Sequence, residues 1–248
     1  MISLVPTLSQ FDPITLQEMD RVKLMNRVET KFLFALEQLE AILDELKKDY
    51  QVVKIEGNML PAYRSLYFDD NDLFFYKEHH RGRNSRFKVR YRTYVDSNLS
   101  FLEVKHKYKG RTNKKRIKVD DIAFDMPVNH RDFLKQLQVA KLDLIPVMMN
   151  TYNRITLVAK HSIERLTLDV NLNFEFNEVK REMNKIVIAE LKQERVSRDS
   201  PFYKLVRKMG MRPYRISKYC MGLIELYGLE SLKYNRFKKK MLRLKKYA

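Results

Sequence analysis

One cysteine, six glycines and seven prolines in 248 residues exclude several classes at once. Cys220 alone can form no intramolecular disulfide, which fits a reducing compartment. So little glycine and proline excludes collagen-like repeats and low-complexity linkers. No apolar run reaches the ~18 residues needed to span a bilayer. The opening "MISLVPTLSQFDPITL" lacks a basic n-region and is too polar for a signal peptide. These absences predict a soluble, cytoplasmic chain, or one that only touches the inner face of a membrane. No G-x-x-x-x-G-K-[ST] or G-x-G-x-x-G stretch exists, so any nucleotide must be held another way. The five histidines, at 79, 80, 106, 130 and 161, show no zinc-ligand spacing.

Positive charge is in excess. Forty-nine Lys and Arg against 31 Asp and Glu give a net charge of +18, with a pI near 9.8. That balance predicts an anionic partner: nucleic acid, a membrane surface or a polyanionic small molecule. With 44% hydrophobic and 11% aromatic residues, the chain can bury a sizeable core. Its length suits one large domain or two small ones.

Residues 13–25 read as a short helix, 26–34 as a strand and 35–50 as an amphipathic helix with Leu36, Leu39, Ile42, Leu43 and Leu46 on one side. Strand 63–70 precedes a helix at 71–80, for which Asn71 or Asp72 would serve as cap. Strands follow at 86–94, 99–108, 114–120, 146–160, 165–172 and 184–194, with a helix at 130–138. Helices at 200–210 and 217–228 and a basic tail complete the chain. His79 and His80 read as a solvated helix end; Met148, Met149 and Phe74–Tyr76 read as core. About eight strands in hairpins predict an α+β fold: a large antiparallel sheet, closed or nearly closed, with flanking helices.

In "SRFKVRYRTY" (85–94), strict alternation puts Lys88, Arg90 and Arg92 on one face and Val89, Tyr91 and Thr93 on the other. The pattern recurs. Arg27, Glu29 and Lys31 share a face; so do Glu103, Lys105 and Lys107; Lys114, Arg116 and Lys118; Tyr152, Arg154 and Thr156; Arg165, Thr167 and Asp169; and Glu190 and Lys192. A solvated sheet face normally mixes signs, because like charges opposite each other repel. Two unit charges ~4 Å apart interact by ~4 kcal/mol at an effective dielectric of ~20. A dense Lys/Arg face therefore asks for an anion. A barrel with its polar face inward would supply a cationic tunnel for one, with Arg as a bidentate fork and Lys as a point charge for phosphate.

The ordered set "RVETKF", "SLYFDD", "KVRYR", "LEVKHK", "YNRITL", "RLTLDV", "AELK" and "RISKY" resembles the VTC-type polyphosphate polymerase domain. That family lies within the CYTH, or triphosphate tunnel metalloenzyme, superfamily. The likeness covers about residues 20–228, leaving a helical lead-in (1–25) and a basic tail (229–248). It implies a closed eight-stranded tunnel that binds ATP and polyphosphate or pyrophosphate, with Mn²⁺ or Mg²⁺. It implies catalytic roles for Lys31, Arg90, Arg92, Lys105, Arg154 and Lys218. Phosphate binding would fall to Arg27, Lys88, Lys107, Lys114, Arg116, Tyr152, Arg165, Lys192, Arg215 and Ser217, and metal binding to Glu190. Ser217 equally suits a helix cap, and Glu29 and Glu103 suit charge-balancing partners of tunnel cations. Asp169 suits a metal or an ion pair.

Hydrolytic members of the superfamily open with E-x-E-x-K. Here Arg27 stands at the first glutamate, which weakens the case for a triphosphatase and suits retention of a long polyanion. The chain shows no SPX-like regulatory region, leaving that and any membrane-spanning partner to other chains. The expected activity is a metal-dependent phosphotransferase that moves the ATP γ-phosphate onto polyphosphate and releases ADP. The alternatives are a tunnel triphosphatase and a non-enzymatic binder of polyphosphate or RNA. The absence of an RNP-like signature, and aromatics that fall mainly on apolar faces, argue against nucleic acid. The tail, with Phe237, Met241 and Leu244 on one helical face, suits an anionic membrane, a guide for polyphosphate or a solvated end.

Overall fold

The computed structural model describes residues 4–20, 28–109, 111–137, 139 and 143–247. Among these, the strands are β1 (Pro13–Thr15), β2 (Val28–Ala35), β3 (Tyr50–Lys54), β4 (Ala62–Asp69), β5 (Ser85–Tyr94), β6 (Leu99–Tyr108), β7 (Arg111–Val119), β8 (Ile145–Ala159), β9 (Glu164–Phe176), β10 (Val179–Met183) and β11 (Ile186–Gln193). The helices are α1 (Val5–Leu8), α2 (Leu16–Asp20), α3 (Leu39–Leu46), α4 (Phe74–Arg81), α5 (Val128–Lys135), α6 (Pro201–Lys208), α7 (Lys218–Ser231) and α8 (Lys238–Lys245).

Eight strands form one path in the order β2-β11-β9-β8-β4-β5-β6-β7, every neighbour antiparallel. Three short strands lie off this path: β10 beside β9, β3 beside β8, and β1 parallel to β3. The sheet curls into a half-barrel but does not close, contrary to the expectation of a closed barrel. Its end strands, β2 and β7, are not paired with each other. Two causes are visible. The free edge of β2 is taken by the segment before α7, where the Tyr214 N–H donates to the Lys31 carbonyl at 2.6 Å. The other edge, β7, is almost wholly exposed and carries Arg111, Lys114, Lys115, Arg116 and Lys118. Closure would set that row against Lys31, and like charges directly opposite each other destabilise a ladder.

Alternation then divides the residues. Phe32, Phe34, Ile155, Leu157, Leu166, Leu168, Ala189 and Leu191 project to the convex side and bury against α3 and α6 through Leu39, Ile42, Leu43, Leu46, Phe202 and Val206. The opposite, concave face is polar along most of its length and apolar at one end. There Leu33, Ile188, Leu172, Phe174 and Met148 pack beneath α7. A bulge in β9 makes this possible. Asn171 adopts φ 52°, the β8 register skips there, and the parity of β9 changes. Val170 thus joins the convex core, while Leu172 and Phe174 join the concave one.

Local expectations fail in several places, among them Phe74, read as core but exposed. The first turn of α4 is capped by Asp69 and Asp70, not Asn71 or Asp72. The Asp70 carboxylate accepts from the Phe74 N–H at 2.8 Å, and Asp69 accepts from Phe75 and Tyr76 at 2.8 and 3.0 Å. Leu73, left-handed at φ 54°, folds the chain back so that these carboxylates overhang the helix. His80 is buried rather than solvated, with Tyr76 and Phe237 beside it. The tail is not a solvated end either: Met241 and Leu244 of α8 are buried in the core. Among the described residues, no helix is long and apolar enough to cross a membrane.

Gly222 marks the closest approach of α7 to the sheet. A Cβ there would meet the Met148 sulfur and the Phe174 ring. Gly222→Ala is expected to lose about 1–3 kcal/mol from overpacking, despite the better helix propensity of alanine. Urea denaturation of the two proteins measures it.

Candidate active site

Strand register assembles the site. On β5 and β6, Arg86 lies opposite Lys107, Lys88 opposite Lys105, and Arg90 opposite Glu103. On β7, Lys114 lies opposite Lys105 and Arg116 opposite Glu103. Across the sheet, Lys31 faces Glu190, and Arg154 faces Asp169. Alternation puts all of these on the concave face. Curling brings the distant strands together: Lys105 of β6 interacts electrostatically with Glu190 of β11 and Glu29 of β2.

Three buried or nearly buried carboxylates organise the cations, each serving two. Glu103 accepts from Arg90 Nε and Nη2 at 2.9 and 2.7 Å and from Lys114 at 3.1 Å. Asp169 takes a two-pronged bond from Arg154, at 2.5 and 2.8 Å, and also pairs with Lys218. Glu190 pairs with Lys192 at 2.7 Å and Lys31 at 3.2 Å. The partners hold Glu103, Asp169 and Glu190 below the usual carboxylate range although burial opposes this. Glu103 thus has the charge-balancing role read from the sequence, and Asp169 is an ion-pair anchor. Lys88, Arg92 and Lys105 have no carboxylate within ion-pair distance among the described residues. Lys88 donates to the Ser217 hydroxyl at 2.9 Å, and Arg92 to that of Ser65 at 3.3 Å.

Aromatic rings support the cations from below. Arg92 lies over Tyr63 at 5.9 Å, Arg90 over Tyr67 at 5.6 Å and Arg116 over Phe101 at 4.2 Å. Arg154 contacts Tyr63 and Tyr152, at 5.1 and 5.3 Å, and Lys218 lies 3.5 Å above Tyr152. Most aromatic rings lie in the apolar clusters, as expected, but these four face the cations. Tyr63, Ser65 and Tyr67 alternate in β4 just as the cations do in β5; the period-two signal existed in sequence but lacked charge to mark it. A ring quadrupole stabilises a cation without neutralising it, so the positive field survives.

Titratable groups register that field. Burial and then Arg90 and Arg92 act on Lys105, with Glu190 and Glu29 opposing, and burial, Arg90, Arg92 and Lys88 act on Tyr67. Lys105 falls well below the lysine range, and Tyr67 lies below the usual phenol range although burial pushes the other way. His79 is pushed down to about 2 by burial, with Lys88, Arg86, Lys107 and Lys240 adding to it. Lys218 is lowered to about 7, chiefly by burial, with Asp169 opposing and Arg154 and Arg92 contributing.

The remaining sequence-nominated residues spread outward. Ser217 caps α7, accepting from the Cys220 N–H at 3.3 Å, while also meeting Lys88. Lys192 is buried beside Glu190. Arg165 shares the concave register but reaches the Met19 sulfur at 3.7 Å, which places it at the rim rather than the centre. Lys107 and Arg215 are exposed at one mouth, and Arg116 lies exposed on β7. Arg27 lies outside the described residues. Among those described, no three His, Cys, Asp or Glu side chains converge as a metal cage. Glu190, the residue nominated for metal, has one oxygen on Lys192 and the other on Lys31. Glu29 lies on the same face, opposite Lys192.

No curated protein matches the sequence. Among solved structures, a candidate adenylyl cyclase from Hippeastrum, described as having a dominant triphosphatase activity, is 13% identical. It aligns over 79% of this chain and 94% of its own, with a TM-score of 0.52. A candidate adenylate cyclase from Bacillus halodurans, also 13% identical, aligns over 77% and 94%, with a TM-score of 0.50. At that identity the likeness establishes the fold: a curled tunnel-type sheet. The family model of the VTC domain matches residues 26–227, most of the chain, and the protein belongs to the VTC domain family.

Proposed function

We propose that this protein is a polyphosphate polymerase. The family and the tunnel-type fold support a phosphate-handling enzyme. The observation that carries the finer reading is the surplus of charge: among the described residues Lys88, Arg92 and Lys105 have no carboxylate at ion-pair distance, beside three carboxylates already shared by Arg90, Lys114, Arg154, Lys218, Lys31 and Lys192. A linear polyanion is the ligand whose charge repeats along such a groove.

The terminal phosphate oxygen of a chain attacks the γ-phosphorus of ATP. The bond from that phosphorus to the β–γ bridging oxygen breaks, and ADP leaves with the electron pair. Phosphoryl transfer needs alignment and charge stabilisation more than covalent help. Arg90, Arg92, Lys105 and Arg154 would hold the transferred group, and Lys31 and Lys218 would flank it from the facing strands and α7. Glu190 would hold Mn²⁺ or Mg²⁺, which supplies neutralisation of phosphate charge when bound. No nucleophile on the protein is required. Work in the cytoplasm, alone or beside a membrane-spanning partner, belongs to the same reading. Hydrolysis is the second reading, favoured by the triphosphatase activity described for the Hippeastrum protein and opposed by Arg27 in place of an acidic residue.

Incubation of the pure protein with ATP and Mn²⁺, with products run on a polyphosphate-stained gel, separates the two. A ladder with ADP release is expected; free phosphate without a ladder would establish hydrolysis. Arg92→Ala is expected to abolish product with little change in melting, since Arg92 bonds to Ser65 and lies over the Tyr63 ring, and Glu103, on which it also acts, keeps its ion pairs with Arg90 and Lys114. Arg90→Ala is expected to abolish product and also cost about 3 kcal/mol of stability, because Glu103 would stay buried with Lys114 alone. Equal melting of the two variants would contradict that assignment of roles.

Lys218 gives a pH signature. Its amine is lowered to about 7 in the folded protein, below its range in an unfolded chain. From about 7 up to the ordinary lysine range the unfolded chain holds the extra proton. Stability from this group therefore rises with pH across that window, while attraction for phosphate falls. Triphosphate binding near pH ~8 is expected to take up a proton. Lys218→Arg should reduce that uptake by the share of this amine, as read by calorimetry in buffers of different ionisation heat.

A further inference from the structure

A second group of cations lies beyond the central site, at the end of the groove where α4, α7 and α8 meet the strand ends. Arg86 and Lys107 are direct cross-strand partners on β5 and β6. Arg215 approaches from the segment before α7, and Lys240 from α8. Lys107 is lowered by burial, then by Arg86, Arg215 and Lys31, with Glu29 opposing. Lys240 is lowered by burial, with Arg215 and Arg86 contributing and Cys220 opposing. The Arg86 Nε is buried without a hydrogen-bond partner. Cross-strand pairing of two cations destabilises a sheet, yet here it occurs in successive rows, Arg86–Lys107 and Lys88–Lys105.

The position of Lys240 is fixed by packing. Phe237 contacts Tyr76 at 6.2 Å and His80 at 5.6 Å, while Met241 and Leu244 are buried in the core and Arg243 lies 4.9 Å over Tyr214. Lys240, one helical turn from Phe237 and Leu244, therefore faces inward to the mouth rather than outward to solvent. The helix that supplies it lies past residue 227, where the match to the family model ends.

The geometry points to an outer subsite for a long linear polyphosphate, formed by Arg86, Lys107, Arg215 and Lys240 and continuous with the central groove. This rests on the polymerase reading and adds to it a grip on the chain away from the reacting end. From Arg92 to Arg86 is six residues of strand, ~20 Å. An inorganic triphosphate is too short to touch both ends, and a long chain lies along the whole row. The outer grip would keep a growing chain bound while ADP is exchanged for ATP, making synthesis processive.

The test compares binding of inorganic triphosphate and of long-chain polyphosphate to the full-length protein and to an Arg86→Ala/Lys240→Ala variant, across a salt series. The expected result is unchanged triphosphate affinity and a loss of about tenfold or more for the long chain. The slope of log affinity against log salt should fall by roughly 0.7 per cation removed, as for a single-stranded phosphodiester backbone. Lys240→Glu, which keeps the anchors of α8, should weaken the long chain further. In the synthesis assay the variant should give shorter products from the same ATP turnover. Unchanged long-chain affinity, with triphosphate still bound, would overturn the outer subsite and leave the central reading standing. Equal loss for both ligands, with melting preserved, would overturn a separate subsite. Binding of neither ligand by the unaltered protein would overturn the central reading and this one together.

Discussion

The pairing of each buried carboxylate with two cations is the constraint on which the rest depends. Glu103, Asp169 and Glu190 stand on β6, β9 and β11, and Glu103 joins Arg90 of β5 to Lys114 of β7. Asp169 joins Arg154 of β8 to Lys218 of α7, and Glu190 joins Lys192 to Lys31 of β2. One carboxylate per cation would leave the groove neutral. None would leave an array of buried positive charge that no low-dielectric interior tolerates. The observed ratio holds the cations in place and still leaves a net positive groove.

Three supports let the excess persist without an anion. Rings of Tyr63, Tyr67, Tyr152 and Phe101 lie under the cations and stabilise charge without cancelling it. The sheet stays open, so Lys114 and Arg116 keep contact with water while facing the same groove as Arg90. Several amines have a depressed proton affinity, Lys105 and Lys218 among them. The excess positive charge that opposes folding is also what favours an anionic ligand in the groove.

The strands were legible where one face is charged and the other apolar, since period two then shows in both. That holds for 85–94 and 99–108, whose register matches the pattern residue for residue. It failed where the signal was short or mixed. Tyr50 follows "ELKKD" without a turn residue and reads as the end of a helix, and 51–54 have no element assigned, yet Tyr50–Val52 pair with β8. Pro13–Thr15 is too brief to alternate and is held by β3. Closure was not legible because it depends on what occupies the two edges. The Tyr214–Lys31 backbone bond and the position of the charged β7 at the sheet edge are tertiary facts that no local pattern records.

The candidate site was legible for the same reason as its strands, and incomplete for a related one. Cations announce themselves in a sequence; the groups that make them tolerable do not. Asp69 reads as the end of a strand, but its carboxylate takes the Phe75 and Tyr76 N–H groups and the Tyr219 hydroxyl. This ties the start of α4 to the first turn of α7. The neighbouring residues Ser217 and Lys218 then have a fixed approach to Lys88 and Asp169. Loss of that tie would free the α7 end of the groove while every cation on the strands stayed in place. The positioning of the groove is therefore shared between a sheet whose charges can be read by eye and a buried acid whose role follows only from the fold.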